Sequence, residues 1–334
     1  GYGIYAYFRD SNESQCKIEV KNTKIRHSGG YAIRVNGSSQ PGVTIEDNEF
    51  IDIAGDNEGF AVYIDGVWAP HADAVIRRCK FINSSSGGIR FQDRGAGIIE
   101  GNEFSNNDTV KIWSIYAHGD FTVKDNVLKN NKRGEIHVHN PQRGNLSFLV
   151  EGNIISESEN GEMNGIRLNS IGIDCEILVK NNIVKTRYDG IQVEGGYNLT
   201  PKITGNTIVG TRLESTGINI SGKMRPFIEN NTIEKKQYGI RVSYEDLSGD
   251  GQAVIKGNVV KDNSGYGIRV ENYTKLVISL NDIENNGGYF VDNQTEYTVD
   301  ARNNWWGETL KAVIESGDNP RALDKFYDQY DDST

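Results

Sequence analysis

One short pattern recurs through most of this chain: a glycine, an isoleucine, a polar residue and an aliphatic. It reads Gly88-Ile89-Arg90-Phe91, Gly165-Ile166-Arg167-Leu168, Gly190-Ile191-Gln192-Val193, Gly217-Ile218-Asn219-Ile220, Gly239-Ile240-Arg241-Val242 and Gly267-Ile268-Arg269-Val270. A second alternating run follows each, then an asparagine, then a third run, as in Val254-Ile255-Lys256-Gly257-Asn258-Val259-Val260. The asparagine falls at Asn22, Asn48, Asn102, Asn126, Asn153, Asn182, Asn206, Asn231, Asn258, Asn281 and Asn304, with Cys79 in its place once, in steps of 23 to 31 residues. Three period-two runs in so short a repeat leave no room for a helix in each unit. Each repeat can then bury its aliphatic residues only against its neighbours, which makes the chain an all-β parallel solenoid of about twelve coils.

Within a coil the isoleucine and the following aliphatic point inward and the residues between them point outward. The asparagine marks a sharp corner between the second and third runs. Its side-chain amide can bond to the corner above, to the corner below and to backbone, so stacked corners form a structural ladder rather than a binding site.

The sequence has 334 residues, 38 glycines and six prolines and carries a net charge of −10. No apolar run is long enough to cross a membrane as a helix, so membrane insertion is not expected. The acidic balance argues against nucleic acid as a partner while leaving room for a locally basic groove. Gly3-Ile4-Tyr5-Ala6-Tyr7 already reads as a repeat strand, so the chain is expected to be part of a longer protein, extracellular or at the cell surface. The three cysteines fall in different coils; Cys16 and Cys79 are two apart, roughly 10 Å, beyond the reach of a disulfide. They read as buried small hydrophobes.

The solenoid is expected over residues 1–307, with a capping segment over 308–334. After Arg302-Asn303-Asn304-Trp305-Trp306-Gly307 the period changes, with Leu310, Val313 and Ile314, then Leu323, Phe326, Tyr327 and Tyr330, at helical spacing. Two short amphipathic helices are expected to cover the open end, with both tryptophans as its apolar plug.

The outward positions of the first run give two columns. The first reads Tyr5, Arg34, Tyr63, Arg90, Tyr116, His137, Arg167, Gln192, Asn219, Arg241, Arg269 and Phe290. The second reads Tyr7, Asn36, Asp65, Gln92, His118, His139, Asn169, Glu194, Ser221, Ser243, Glu271 and Asp292. Five arginines and no lysine in the first column, interleaved with tyrosines, suit planar recognition of carboxylate or sulfate and contact with sugar rings. Three of the five histidines fall here, in adjacent coils, and histidine is the side chain whose ordinary titration lies near neutrality. His137, His118, Tyr116 and His139 are therefore the candidate proton carriers. Arg90, Arg167, Tyr63, Asp65, Gln92, Trp68 and Gln192 are the candidate binding residues. The longer coils bring Trp68, His71 and residues 155–164 as candidate groove walls. Arg241 and Arg269 stand apart as solvated or ligand-positioning groups.

A carboxylate hydrolase would draw on Asp65, Asp93 and Asp120, of which two lie at strand ends. No cofactor is expected. The one calcium-like spacing, Glu245-Asp246 to Asp250, reads as a solvated acidic turn, and too few acidic residues face the groove for a calcium-dependent lyase.

The repeat, the corner asparagine and the terminal Asn-Asn-Trp-Trp-Gly together resemble the right-handed parallel β-helix superfamily. That group includes pectate lyases, other polysaccharide lyases and epimerases, and surface proteins with short β-helix repeats. The resemblance spans nearly the whole chain and implies a saccharide groove on the outer face of the first sheet. It leaves two function classes open. One is an enzyme on an acidic polysaccharide, a lyase or epimerase in which arginine neutralises a uronate carboxylate while histidine or tyrosine moves the proton at C5. The other is a non-catalytic adhesin or cell-envelope module that holds a cell-surface glycan or serves as a spacer. A trimeric viral spike finds no heptad pattern to support it.

Overall fold

The computed structural model describes residues 2–8, 17–37, 42–54, 60–65, 74–92, 96–117, 119–139, 145–157, 163–172, 174–212, 215–243, 252–272, 275–316 and 323–328. Every strand pairing among them is parallel, and the strands sort into three sheets that the chain visits in rotation as far as Val291–Gln294. The second and third sheets hold eleven strands each and the first holds thirteen. Eleven coils are thus complete, and a twelfth contributes its first-sheet strand, Val291–Gln294.

The inward isoleucine stacks on its counterpart in the next coil. Ile89, Ile112, Ile136, Ile166, Ile191, Ile218, Ile240 and Ile268 are in register, and all have no solvent exposure. The glycine before it is a steric requirement. A Cβ at Gly165, Gly190, Gly217 or Gly239 would lie 2.3–2.4 Å from a valine or isoleucine methyl on the third sheet. A methyl group there would push the first and third sheets apart. In the third sheet Phe50, Phe81 and Phe104 stack at 4.7 and 4.6 Å between ring centres.

The asparagine ladder is present and continuous. Asn153 Oδ1 accepts from Asn126 N at 3.0 Å and Asn126 Nδ2 at 2.9 Å, and Asn153 Nδ2 donates to Val123 O and Glu151 O. The same pattern runs from Asn102 through Asn304. At the first corner the expected residue is displaced by one. Thr23 N, not Asn22, donates to Asn48 Oδ1, and Asn22 instead takes the left-handed conformation with φ 51°.

A left-handed residue precedes every rung. Along one stretch these residues alternate: Gly101, Asp125, Gly152, Asn181, Gly205, Asn230, Gly257. The alternation has a packing cause, because a Cβ on Gly152, Gly205 or Gly257 would meet the preceding coil's Asp125, Asn181 or Asn230 Oδ1 at 2.3–2.5 Å. A second, shorter ladder at the next corner links Asn107 to Asn131 and Asn263 to Asn286. Between these segments fully buried Lys236 sends Nζ to Thr186 O, Tyr188 O and Ser215 Oγ, tying neighbouring corners together.

The far end differs from expectation in its second half. Residues Gly307–Glu315 form the first expected helix, but Phe326–Asp328 is a strand that pairs with Val291, Asp292 and Asn293 and becomes the thirteenth strand of the first sheet. The open edge of that sheet offers backbone hydrogen bonds that a helix could not use. Trp306 is the expected plug, 6.3 Å from the Phe290 ring and 4.7 Å edge-on from Phe326. Trp305 is not; it is 37% exposed under Lys311. Cys79 and Cys175 are buried, and Cys16 lies outside the described residues.

Candidate functional site

The pairing of the first sheet resets part of the expected first column. In register it runs Tyr5, Arg34, Tyr63, Arg90, Trp113, His137, Arg167, Gln192, Asn219, Arg241, Arg269, Asp292 and Tyr327. Trp113 therefore stands where Tyr116 was expected, and Asp292 where Phe290 was. In the second column Ile115 pairs between Gln92 and His139, the place expected for His118, and Gln294 pairs with Glu271 in place of Asp292. His118, Trp68, His71 and Asp93 lie outside the described residues, as do 158–162 of the expected wall and the acidic turn at 245–250.

Tyr116 has left the strand. It ends Thr109–Ile115 with φ 55°, yet its N–H donates to His139 O at 3.1 Å and its ring lies 6.5 Å from the His139 ring. It stays beside the histidines by a different route.

Three strands in succession, Thr109–Ile115, Arg133–His139 and Ile166–Ile171, build the centre of the patch. Lys111 pairs with Glu135, Trp113 with His137, and His137 and His139 with Arg167 and Asn169. The Trp113 ring stacks on His137 at 5.5 Å, nearly parallel, and the Arg90 guanidinium covers its other neighbourhood at 4.8 Å. Asn169 Oδ1 is the hub: His137 Nε2 approaches it at 2.6 Å and His139 Nδ1 at 3.0 Å. An amide oxygen only accepts, so each of those nitrogens carries a proton. His137, which burial keeps neutral, is thereby the Nε2–H tautomer; His139 carries a proton on Nδ1, and in its neutral form Nε2 holds the lone pair.

Glu135, absent from the sequence reading, completes the group. It faces outward but is only 5% exposed. Its Oε2 lies 3.7 Å from His137 Nδ1. Burial pushes the Glu135 carboxyl up to about 7 against the pull of Lys111 and Arg167. Burial likewise takes His137 down to about 4, with Arg167, His139 and Lys111 adding to the effect and the Asn169 bond opposing it. Two donors at the patch, Trp113 Nε1 and Arg167 Nε, are buried without a hydrogen-bond partner among the described residues.

The other expected binding residues form a separate node nearer the N-terminus. Tyr63 Oη lies 3.1 Å from Gln92 Oε1 and 3.3 Å from Asp65 Oδ2, and Arg90 donates to Gln92 Oε1 at 2.6 Å. Burial, with Asp65 beside it, pushes the Tyr63 hydroxyl up to about 12. Guanidinium and aromatic groups alternate through this half: Arg34 lies 5.2–5.8 Å from Tyr2, Tyr31 and Tyr63, and Arg90 5.2 Å from Tyr63. Gln192 accepts from Asn164 at 2.7 Å, beyond Arg167. Arg241 and Arg269 do not stand alone: both bind Glu271, and Arg269 reaches Asp292 as well. Asp120 accepts a backbone bond from Ser147. Among the described residues no cluster of three histidine, cysteine or acidic side chains is arranged to hold a metal, and no helix is long and apolar enough to cross a membrane.

The model of the family described as "Right handed beta helix region" matches residues 2–166 and 136–305. No curated protein matches the sequence. Among solved structures, two mutants of the periplasmic alginate epimerase AlgG share this architecture with a TM-score of 0.56 at 14% identity. The AlgG structure without a stated mutation gives 0.53 at 13%. Each alignment covers 91% of this chain and 78% of the other. At such identity the likeness is one of fold.

Proposed function

The chain belongs to the right-handed β-helix family, and on that premise we propose that it acts on an acidic, uronate-containing polysaccharide laid along the outer face of the first sheet. The observation that carries this is the pair of histidines fixed by one amide oxygen beside Arg167, whose buried Nε has no acceptor among the described residues. A carboxylate on that guanidinium would meet two needs at once. It would satisfy the donor, and the positive charge would stabilise the enediolate formed when the C5 proton leaves. His139 Nε2 is the acceptor for that proton, with Tyr116 beside it as the second proton carrier. Return of a proton from the opposite face gives an epimerase; breaking of the C4–O bond, with C4=C5 forming and the departing oxygen taking a proton from Tyr116, gives a lyase. The uronate polymer named in the AlgG neighbours fits this substrate class.

A binding module remains the second reading, and the N-terminal half favours it. The stack of Arg34, Tyr63 and Arg90 with its neighbours alternates guanidinium groups with aromatic rings, an arrangement suited to holding a glycan. The two readings part on one experiment. The chain is incubated in deuterium oxide with polyuronate, sulfated and neutral polysaccharides, and C5 deuteration and near-ultraviolet absorbance are followed. Deuteration or unsaturated ends establish an enzyme, binding without either establishes a module, and no interaction with any acidic glycan overturns both. His139→Ala is expected to abolish exchange with affinity largely kept, and Arg167→Ala to weaken both.

A further inference from the structure

Glu135 has no partner that explains its burial. No lysine or arginine lies within ion-pair distance among the described residues; the one ion-pair contact there is His137 Nδ1 at 3.7 Å, with Lys111 and Arg167 acting from farther off. That nitrogen carries the lone pair, because the His137 proton is on Nε2, facing Asn169. A protonated carboxyl is therefore the form of Glu135 that matches its neighbour, and an ionised one faces a lone pair. The next strand places Gly165 opposite Glu135's position, since Ile136 pairs with Ile166, so no side chain there takes over the carboxyl. Asn169 is equally unanchored: its Nδ2 makes no hydrogen bond to another described residue, so its amide orientation is set by the two histidines alone.

We propose that Glu135 is a positioning residue that sets the tautomer of His139 through His137 and Asn169, so that His139 Nε2 is a base only while Glu135 carries its proton. With Glu135 protonated, its O–H faces His137 Nδ1, His137 Nε2–H donates to Asn169 Oδ1, and His139 Nδ1–H does the same. Loss of the Glu135 proton to solvent reverses each link. His137 moves its own proton from Nε2 to Nδ1 to face the carboxylate, by exchange with water. Asn169 then turns its NH2 to the bare Nε2 and presents the same donor to His139 Nδ1. His139 can accept there only as the Nε2–H tautomer, and its outward nitrogen becomes a donor. No proton is gained or lost beyond the one that Glu135 releases.

The charged and titratable groups around this chain are Lys111 on one flanking strand, Arg167 on the other, and Arg133 and the two histidines on Glu135's own strand, with Tyr116 beside His139. Lys111 and Arg167 favour ionisation, and burial opposes it, which places the change near neutrality.

The tautomers can be read with no glycan present, by long-range proton–nitrogen correlation of the imidazoles in the intact chain. From about pH 6 to about pH 9, His139 is expected to pass from the Nδ1–H to the Nε2–H form, and His137 the reverse. Glu135→Gln, whose amide donates to His137 Nδ1 at every pH, is expected to hold His139 as Nδ1–H throughout. Asn169→Ala is expected to uncouple His139 from Glu135. A wild-type His139 tautomer that does not change, or one that changes equally in Glu135→Gln, overturns the inference. If Glu135→Gln does not fold, Asn169→Ala and the wild-type titration decide it. In the presence of a polyuronate, C5 exchange should fall about tenfold per pH unit above the transition, as the protonated fraction does. The inference concerns the site proposed above but fails separately from it: a tautomer change without exchange sinks the enzyme reading alone, and exchange without a tautomer change sinks this one alone.

Discussion

At the scale of single residues, folding exchanges a proton between two neighbours. In the unfolded chain between pH 4.5 and 6.5 the histidine is protonated and the glutamate ionised; in the fold Glu135 is raised to about 7 and His137 lowered to about 4, so the proton sits on the carboxyl. Both states hold one proton, so the pair contributes little pH dependence to stability across that window. Breaking it exposes each half. In Glu135→Gln the remaining lowered histidine binds fewer protons folded than unfolded, so stability should rise from about pH 4 to 6.5, by about 3 kcal/mol. In His137→Asn the remaining raised carboxyl binds more protons folded, so stability should fall by a similar amount from 4.5 to about 7. Urea denaturation at four or five pH values reads both slopes. Parallel profiles for the two variants and the wild type would mean that neither group is perturbed. None of this was legible beforehand. Glu135 lies two residues before His137 on the same face, but nothing in one sequence says that an outward glutamate is covered.

At the scale of elements, the corners carry the argument. The asparagine ladder could be read from spacing alone because the same side chain recurs at nearly every rung. The alternation of glycine with Asx before the rungs could not, because it depends on which side chain leans over which coil. Gly205 has φ +66°, and a Cβ there would lie 2.5 Å from Asn181 Oδ1. Gly205→Ala should therefore cost more than the ~1–2 kcal/mol of a left-handed alanine. Asn181→Ala in the same chain should recover the excess, a coupling that a thermal-denaturation double-mutant cycle measures. Additive losses would place the cost in backbone strain alone. The C-terminal element is a second case. Its residues Leu323, Phe326 and Tyr327 fit a helical period, but an unpaired parallel strand edge and the Trp306 face outweighed it. Removing residues 317–334 uncovers the Val291–Gln294 edge, and light scattering should then show more association than the intact chain gives. A truncated protein with unchanged mass in solution and unchanged stability would show that the strand protects nothing.

At the scale of the whole molecule, the net charge and the candidate face have opposite signs. The chain carries −10 overall, while Arg34, Arg90, Lys111 and Arg167 gather along one stretch of the first sheet. At ~0.01 M salt the screening length of ~30 Å lets a polyanion feel the whole molecule, and near 0.15 M the ~8 Å length leaves only the face. Affinity for a polyuronate should therefore rise from low to physiological salt and fall again near molar salt, whereas a neutral glycan should show neither change. Titration calorimetry across that range tests it. A steady fall from the lowest salt would mean that the face dominates at every distance.

The solenoid, the inward isoleucines and the corner ladder were legible in the sequence because each rests on a period that every coil repeats, and the helix at the end because that period changes to a helical one there. The sequence also singled out His137, His139, Arg90 and Arg167, since alternation along one strand decides which side chains share a face. Only the tertiary structure decided the pairing where the pattern was interrupted. Ile115 and Ala117 looked like the inward pair of their coil. The strand instead turns Val110, Ile112 and Ser114 inward, with Ser114 buried to 3% exposure, which brings Trp113 beside His137 and carries Tyr116 out of the sheet. A shift of three residues exchanges the two faces of a strand. Which shift prevails depends on where the preceding corner ends, and that is fixed by contacts with the coils on either side.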